Sequence, residues 1–300
     1  MSHEKAFLEI RKIVRFRETA LEPLSNEPMA PLIETKLKLP ALGRCGWEIR
    51  HGVKDNLGEV YEIPESSLNE IEPDLIYPYL KSRHILAWGI LGYSYRLIPQ
   101  RKAGEINEIY LSKEYPRTYE YLDRMKKLIK SRRSRWLKTG PFYSVFGLGD
   151  YTWMPFKVTW CRLGFRPDFA VVSSVEDPKL GTKLLIPGDH FMFIPTKKED
   201  DAHFLCGLLN SRPYRNTVMG LSHRSKTALS RGVIEQLYLP TDAPMRIKKE
   251  IWSVSKELHN VIAGHISAMN THCRADYKEP EEAIRLRAKI DELVTEFLRT

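Results

Sequence analysis

The segment 146–160, FGLGDYTWMPFKVTW, places five aromatic residues around one lysine, Lys157. It can be interpreted as an active-site loop, as a nucleic-acid surface or as a buried strand. Its glycines belong to no phosphate-binding motif, because neither the third glycine of a dinucleotide loop nor the Lys-Ser/Thr of a P-loop follows them. We therefore expect a core strand, with Phe156, Val158 and Trp160 on one inward face. Lys157 lies on the other face, where we expect it to reach a phosphate group.

Strand and helix patterns surround this segment on both sides. A hairpin is predicted over 47–63, and the clearest amphipathic helix over 114–136. Other strands are predicted at 142–146, 168–174, 183–187 and 191–195, and other helices at 198–212, 244–270 and 280–299. These elements predict an α+β fold, a domain of mixed sheet and helices flanked by an N-terminal helix and a C-terminal helical pair. We assign the N-terminal helix and a proline-rich arm to 1–44, the mixed domain to 45–240 and the C-terminal helical segment to 241–300.

The composition is that of a soluble protein that binds a polyanion. The chain has 300 residues and a formal net charge of +9, which favours polyanionic partners, nucleic acid first and an acidic membrane surface second. We expect no membrane association, because neither a secretion signal nor an uncharged span of membrane length is visible. The four cysteines form no C-x-x-C pair, so we expect free thiols, no metal site and a cytoplasmic location.

Two basic segments carry most of the evidence for nucleic-acid binding. Between Arg117 and Lys138 there are nine lysine or arginine residues against two acidic ones, more than a helix dipole needs at its end. A second run, 212–231, is basic without any acid, and part of it is rich in Ser, Thr and Gly, as in loops that bind phosphates. Together with Lys157, the predicted phosphate contacts are Lys126, Lys127, Lys130, Arg132, Arg133, Arg135, Arg224 and Lys226.

One pattern suggests a nuclease instead. Pro167-Asp168 stands nine residues before Asp177, and Asp177-Pro178-Lys179 resembles the second half of a PD…(D/E)-x-K site, whose carboxylates hold magnesium. The pattern is loose, and a proline within it disrupts the strand that should carry it. We therefore predict no catalytic residues in this chain and keep the magnesium-dependent nuclease as an alternative.

Several stretches, read in order, resemble one family. GVKDNLGEVYEI (52–63), IEPDLIYPYLKSRHILAW (71–88) and YPRTYEYLDRMKKLIKSRRS (115–134) are similar to the C-terminal specificity region of TaqI-like adenine-N6 DNA methyltransferases and type IIG restriction-modification enzymes. PFYSVFGLGDYTWMPFKVTW (141–160) resembles that family's G-[DE]-Y-T-[FW]-x-P-[FWY]-K-V-x-W segment. IPGDHFMFIPTKKEDDAHFLCGLLNS (186–211) and IDELVTEFL (290–298) resemble its strand-then-helix unit and its closing helix.

The resemblance implies a target-recognition domain that binds double-stranded DNA. The family's catalytic half uses an S-adenosylmethionine loop and an Asn-Pro-Pro-Tyr/Phe motif, and this sequence contains no Asn-Pro dipeptide. We therefore expect no cofactor and a separate methyltransferase or nuclease chain as partner, within a restriction-modification or phage-defence system. Polar segments between the predicted elements are our candidates for base recognition: Lys54, Asn56, Lys81, Arg83, Ser222 and His223.

Two alternatives remain beside a recognition protein without catalytic activity. One is an enzyme of the same system, either the nuclease above or an adenine-specific methyltransferase fragment. The other is an adaptor whose basic helix binds an acidic partner protein.

Overall fold

The computed structural model describes residues 46–138, 140–222, 229–241 and 243–299, so the predicted N-terminal helix and arm in 1–44 lie outside the described residues. The strands are β1 (Arg50–His51), β2 (Ile76–Leu80), β3 (Ile85–Leu86), β4 (Gly89–Ile90), β5 (Ser94–Leu97), β6 (Phe156–Cys161), β7 (Phe169–Val172), β8 (Ser174–Asp177), β9 (Gly181–Leu184), β10 (Ile186–Pro187) and β11 (Phe191–Thr196). The α-helices are α1 (Gly58–Tyr61), α2 (Glu108–Glu114), α3 (Pro116–Arg124), α4 (Lys126–Lys130), α5 (Glu199–Asn210), α6 (Arg212–Leu221), α7 (Arg231–Ile234), α8 (Met245–Met269) and α9 (Glu281–Arg299). This mixture of helices and small sheets confirms the predicted α+β class.

The central element is an antiparallel sheet in the order β1-β11-β6-β7. Strand β6 comes from the aromatic segment and lies between two partners, with Val158 opposite Ile194 on β11 and opposite Val171 on β7. Trp160 is fully buried, and its indole nitrogen donates to the carbonyl of Leu229 at 2.9 Å. Of the aromatic residues of this segment, Trp160 is therefore a core residue, as expected for a buried strand, while the others are partly buried and Phe146 is exposed.

Helices α5, α8 and α9 pack together beside this sheet, as their apolar stripes predict. Ile251 and Leu258 of α8 and Ile290 of α9 are fully buried in the same cluster as Trp160. A Cβ added at Gly207 of α5 would lie 2.9 Å from Ile251, so this glycine lets α5 and α8 approach closely. None of the described helices is long and apolar enough to cross a membrane.

A second apolar cluster lies around the small sheet β10-β2-β5 and helices α1 to α4. Tyr61 and Tyr143 are fully buried in it, and the Tyr61 hydroxyl donates to the Tyr143 carbonyl at 2.8 Å. The Tyr79 hydroxyl donates to the Val53 carbonyl at 2.9 Å. Buried tyrosines thus join the 52–63 segment to the sheet through their polar ends.

The hairpin prediction for 47–63 is wrong. Strand β1 pairs with β11, and the residues after the turn form α1 instead of a second strand. Asn56 has φ of 60°, and the Asp55 carboxylate accepts from the Leu57 backbone N–H at 2.7 Å. This local side-chain bond starts a helical turn, which competes with strand pairing.

The single helix predicted over 114–136 is wrong as well, because the structure has three short helices, α2 to α4. Tyr115 separates α2 from α3 with φ of −132° and ψ of 61°, since a residue before proline avoids the helical region. Met125, with ψ of 0°, separates α3 from α4. The predicted strand at 142–146 is a turn in which only Phe146 forms a β-bridge, with Lys54.

Candidate nucleic-acid interface

An open cleft with a volume of about 210 Å³ lies where the central sheet meets the second cluster. We call it the cationic cleft. Its lining comes from segments that are far apart in sequence: His51, Gly52, Lys54, Asn56, Ser134, Leu137, Phe146, Arg162 and Asp189. Two of the predicted base-recognition residues, Lys54 and Asn56, are therefore brought to one concave surface beside the end of the basic segment.

Three glycines allow the backbone segments around the cleft to cross. A Cβ at Gly52 would lie 1.9 Å from the Gly188 carbonyl oxygen, and a Cβ at Gly147 would lie 2.6 Å from the Gly52 carbonyl oxygen. Gly147 also has φ of +81°, in the left-handed region that favours glycine. Lys54 and Phe146 exchange two backbone hydrogen bonds of 2.9 Å next to this crossing. Gly147 of the aromatic segment thus serves close backbone packing.

Arg132 joins the backbone segments that lie behind the cleft. Its guanidinium is buried and donates to the carbonyls of Asp55 at 2.9 Å, Ser144 at 2.9 Å and Phe142 at 2.7 Å, while Nε donates to the Ile129 carbonyl at 3.0 Å. The prediction that Arg132 contacts phosphate is therefore wrong, because its donors are used by backbone carbonyls. Arg132 instead positions the turn that carries Lys54 and Asn56.

Lys157 does not reach the surface either. It is fully buried, and its ammonium group donates to the Met154 carbonyl at 2.7 Å. Burial lowers the pKa of Lys157 to about 8. The expectation that Lys157 contacts phosphate is therefore wrong. Both faces of β6 are covered, so Lys157 is buried as deeply as Val158, whose side chain lies on the other face of the strand.

The remaining basic residues of this segment lie at the surface. Lys127, Lys130, Arg133 and Arg135 are exposed, and Arg133 and Arg135 flank Ser134 in the lining of the cleft. Lys126 is half-buried, 2.8 Å from the Asp123 carboxylate and 4.6 Å from the centre of the Phe142 ring. The structure thus leaves four cationic side chains of this segment exposed, and two of them, Arg133 and Arg135, are sequence neighbours of the cleft-lining Ser134.

The cleft is electropositive around His51. Burial against the cleft wall lowers the pKa of His51, and Arg162, Arg231 and Lys54 lower it further through their positive charges. Asp189 is the acidic residue in the lining. The imidazole is therefore neutral at pH 7, in a field that attracts anions.

The other predicted base-recognition residues lie outside the lining of the cleft. Lys81 forms an ion pair with Glu62, and Arg83 donates from Nε to His84 Nε2 at 3.1 Å. Ser222 is half-buried, and its hydroxyl donates to the Val218 carbonyl at 2.7 Å, at the end of α6. His223 and the predicted phosphate contacts Arg224 and Lys226 lie outside the described residues.

The three residues of the nuclease alternative occupy separate networks. Asp168 pairs with Arg274 and, at 3.4 Å, with Arg215. Asp177 accepts from the Tyr93 and Tyr95 hydroxyls at 2.7 and 2.8 Å, while the ammonium of Lys179 lies 2.7 Å from Glu65. Within the described ranges, no group of three or more His, Cys, Asp or Glu residues is arranged to hold a metal ion. The carboxylates are thus structural ligands of arginine and tyrosine.

His51 and Arg162 line the cleft and Arg231 acts on His51 from outside the lining, but none of the three was predicted as a site residue. Arg231 lies within the basic run 212–231, and Arg162 directly follows β6, so composition and position carried some signal for both. No pattern in the sequence marks His51, because β1 reaches the cleft only by pairing with β11.

Comparisons with known proteins relate the chain to restriction-modification enzymes. No protein-family model matches it. It is 26% identical over 172 residues to the type II methyltransferase M.NspV of Nostoc sp., an alignment of 54% of this chain and 35% of the relative. It is 26% identical over 204 residues to the type II methyltransferase M.MjaIV of Methanocaldococcus jannaschii, covering 64% of this chain and 63% of that protein.

The fold has a counterpart among solved structures. A structure of the type IIL restriction-modification enzyme MmeI in complex with DNA superposes with a TM-score of 0.51 and 11% identity, over 87% of this chain and 34% of that one. The chain thus matches between about one third and two thirds of the length of these proteins. In sequence it is similar to type II methyltransferases, and in fold it is similar to part of a restriction-modification enzyme.

Proposed function

We propose that this chain is the DNA target-recognition part of a restriction-modification methyltransferase system, of the kind found in TaqI-like enzymes. One observation carries the proposal: the turn with Lys54 and Asn56 and the exposed end of the basic segment meet at a single open cleft. The similarity to two type II methyltransferases and to an enzyme solved with DNA supports it. Double-stranded DNA is the proposed ligand.

Phosphate contacts position a protein on DNA and supply most of its salt-dependent affinity. Lys127, Lys130, Arg133 and Arg135 are suited to this role because they are exposed in the basic segment whose end lines the cleft. Lys126 can join them by leaving its surface pair with Asp123, which costs little because such pairs are weak. Arg224 and Lys226 are proposed for the same role from their sequence context alone.

Base recognition needs side chains with fixed donors and acceptors at the edge of a groove. Asn56 is exposed on a turn that Arg132 and the Asp55 carboxylate hold rigidly. An asparagine amide can bond an adenine edge with two hydrogen bonds, and a lysine can bond the acceptors of guanine. We therefore assign base recognition first to Asn56 and Lys54, and secondarily to Lys81, Arg83, Ser222 and His223.

In this proposal residues 45–240 form the recognition domain, and catalysis belongs to a separate methyltransferase or nuclease chain that docks on 241–300 or on 1–44. The second candidate function is that of an adenine-specific methyltransferase fragment: the names of both relatives favour a type II methyltransferase, and the resemblance to TaqI-like enzymes implies adenine as its base. Titration calorimetry with S-adenosylmethionine separates the two. The recognition proposal expects no binding heat, and saturable micromolar binding would favour the methyltransferase.

Selection of bound duplexes from a pool of random sequence tests the recognition proposal. We expect an enriched motif for the wild-type protein. In a variant with Lys54→Ala and Asn56→Ala, discrimination at one or two base pairs should fall by about 1–3 kcal/mol for each lost bidentate contact. Lys289→Ala, an exposed lysine on α9, is the matched control. Enrichment of no motif by the wild-type protein would reduce the function to generic DNA binding.

A further inference from the structure

Two positive side chains that line the cationic cleft, Lys54 and Arg162, act on one imidazole, and Arg231 outside the lining adds a third charge. Lys54 follows β1, Arg162 follows β6 and Arg231 begins α7, and each acts electrostatically on His51. The acidic residue of the lining, Asp189, comes from the turn between β10 and β11. Arg162 donates to the backbone carbonyl of Asp189 at 3.4 Å, so the guanidinium is anchored at the wall.

The Glu235 carboxylate, 2.7 Å from Arg231, and Asp189 in the lining offset part of this charge, and an anion that enters the cleft offsets more of it. We propose that the cleft binds one phosphodiester group of the DNA backbone and that His51 takes up a proton from solvent when the phosphate enters. This inference rests on the proposed function, because the phosphodiester belongs to the DNA. It adds His51 and Arg162 to the contacts and couples binding to pH.

The chemistry of the lining fits a phosphodiester. A phosphate offers acceptors to Lys54 and Arg162, and the Asn56 amide and Ser134 hydroxyl line the same cleft as further donors. The imidazole becomes a donor at both ring nitrogens once it is protonated. A bound phosphodiester thus adds acceptors for these donors to the one that the Asp189 carbonyl offers Arg162.

The direction of the coupling follows from the charges around His51. In the free protein the pKa of His51 lies below 6.5, because burial and the three cations oppose its protonation. A phosphate offsets those cations and raises the pKa, so the bound state holds more protons than the free state. DNA affinity must then rise as the pH falls through the pKa of the bound state, and it must level off below the pKa of the free state.

Fluorescence anisotropy with one duplex, at fixed salt and between pH 8.0 and 5.5, tests the inference. We expect the wild-type affinity to rise roughly three- to tenfold over this range. Each unit by which DNA binding raises the pKa of His51 corresponds to a tenfold rise in affinity. In His51→Gln the ratio of the affinities at pH 5.5 and pH 8.0 should fall to about one, because the group that takes up the proton is gone. His265→Gln, on α8, is the matched control and should keep it.

Calorimetry of the wild-type protein at pH 6, in two buffers of different ionisation enthalpy, gives an independent readout. We expect uptake of a fraction of one proton per duplex. Salt-sensitive binding without proton uptake, or with the same pH dependence in His51→Gln, overturns this inference and leaves the proposed function intact. Absence of salt-sensitive DNA binding by the wild-type protein overturns both.

Discussion

The Arg132 guanidinium donates to the Asp55 carbonyl at 2.9 Å across 77 positions of sequence. This bond joins the end of the basic segment to the turn that carries Asn56, and further bonds from the same side chain reach Ser144 and Phe142. A side chain from the most basic part of the chain therefore links distant backbone segments inside the protein by hydrogen bonds. Its neighbours Arg133 and Arg135 remain exposed because Arg132 alone turns inward.

Replacing Arg132 should destabilise the fold. Arg132→Met leaves several buried carbonyls without their charged donor, so we expect the free energy of unfolding to fall by about 3 kcal/mol. Urea denaturation measures this change. Arg133→Ala is the matched control, and as an exposed neighbour it should change stability by less than about 0.5 kcal/mol. Equal stabilities of the two variants would contradict the structural role of Arg132.

Gly147 and Gly164 form a second matched pair. Both have positive φ, at +81° and +92°, but a Cβ meets the Gly52 carbonyl oxygen at 2.6 Å in the first case and nothing within 4 Å in the second. We expect Gly164→Ala to lower the free energy of unfolding by about 1 kcal/mol, because alanine is strained in the left-handed backbone region. Gly147→Ala should lower the free energy of unfolding by about 2 kcal/mol more, because the backbone segments that cross at Gly52 must move apart. Thermal unfolding compares the two variants, and equal costs would show that the crossing at Gly52 is not tight.

Lys157 should make stability depend on pH in the alkaline range. Its folded pKa of about 8 lies below the unfolded value of 10.5, so the charged form is disfavoured by folding. The penalty is fully present below pH 8 and disappears as the pH rises through 10.5, an effect on the order of 3 kcal/mol. Lys157→Met should therefore be more stable relative to the wild type at pH 7 than at pH 10.

Urea denaturation at pH 7 and pH 10 gives the difference in the free energy of unfolding between Lys157→Met and the wild type. Lys127→Met, at an exposed lysine, is the control. A difference between Lys157→Met and the wild type that stays constant from pH 7 to pH 10 would mean that the ammonium group is solvated.

Local sequence patterns predicted the elements whose apolar residues recur with a strong period or whose partners are close in sequence. The strand at 156–160, the strand at 191–195 and the helices at 244–270 and 280–299 are confirmed within a few residues. Predictions failed where a contact between distant segments decides the structure. Arg132 is a surface cation by composition, and only the carbonyls of Asp55, Phe142 and Ser144 make it an internal residue.

The candidate site was predictable in part for the same reason. The Lys54–Asn56 turn and the basic segment were visible as polar and charged stretches, so both were expected to contact DNA. Their meeting with His51 and Arg162 depends on the pairing of β1 with β11 and of β11 with β6. Register across a sheet of this kind is set by packing, so a single sequence could not predict it.

The salt dependence of duplex binding tests the central claim most directly. The logarithm of the association constant is measured against the logarithm of salt concentration for the wild type and for a variant with Lys130→Ala, Arg133→Ala and Arg135→Ala. If these side chains contact phosphates, the variant's slope is shallower by about 2.7, or 0.9 for each lost contact. A control with Arg246→Ala, Arg285→Ala and Lys289→Ala, exposed on α8 and α9, keeps the wild-type slope. Equal slopes for the wild type and the first variant, or an equal loss in the control, would contradict a DNA interface at the cationic cleft.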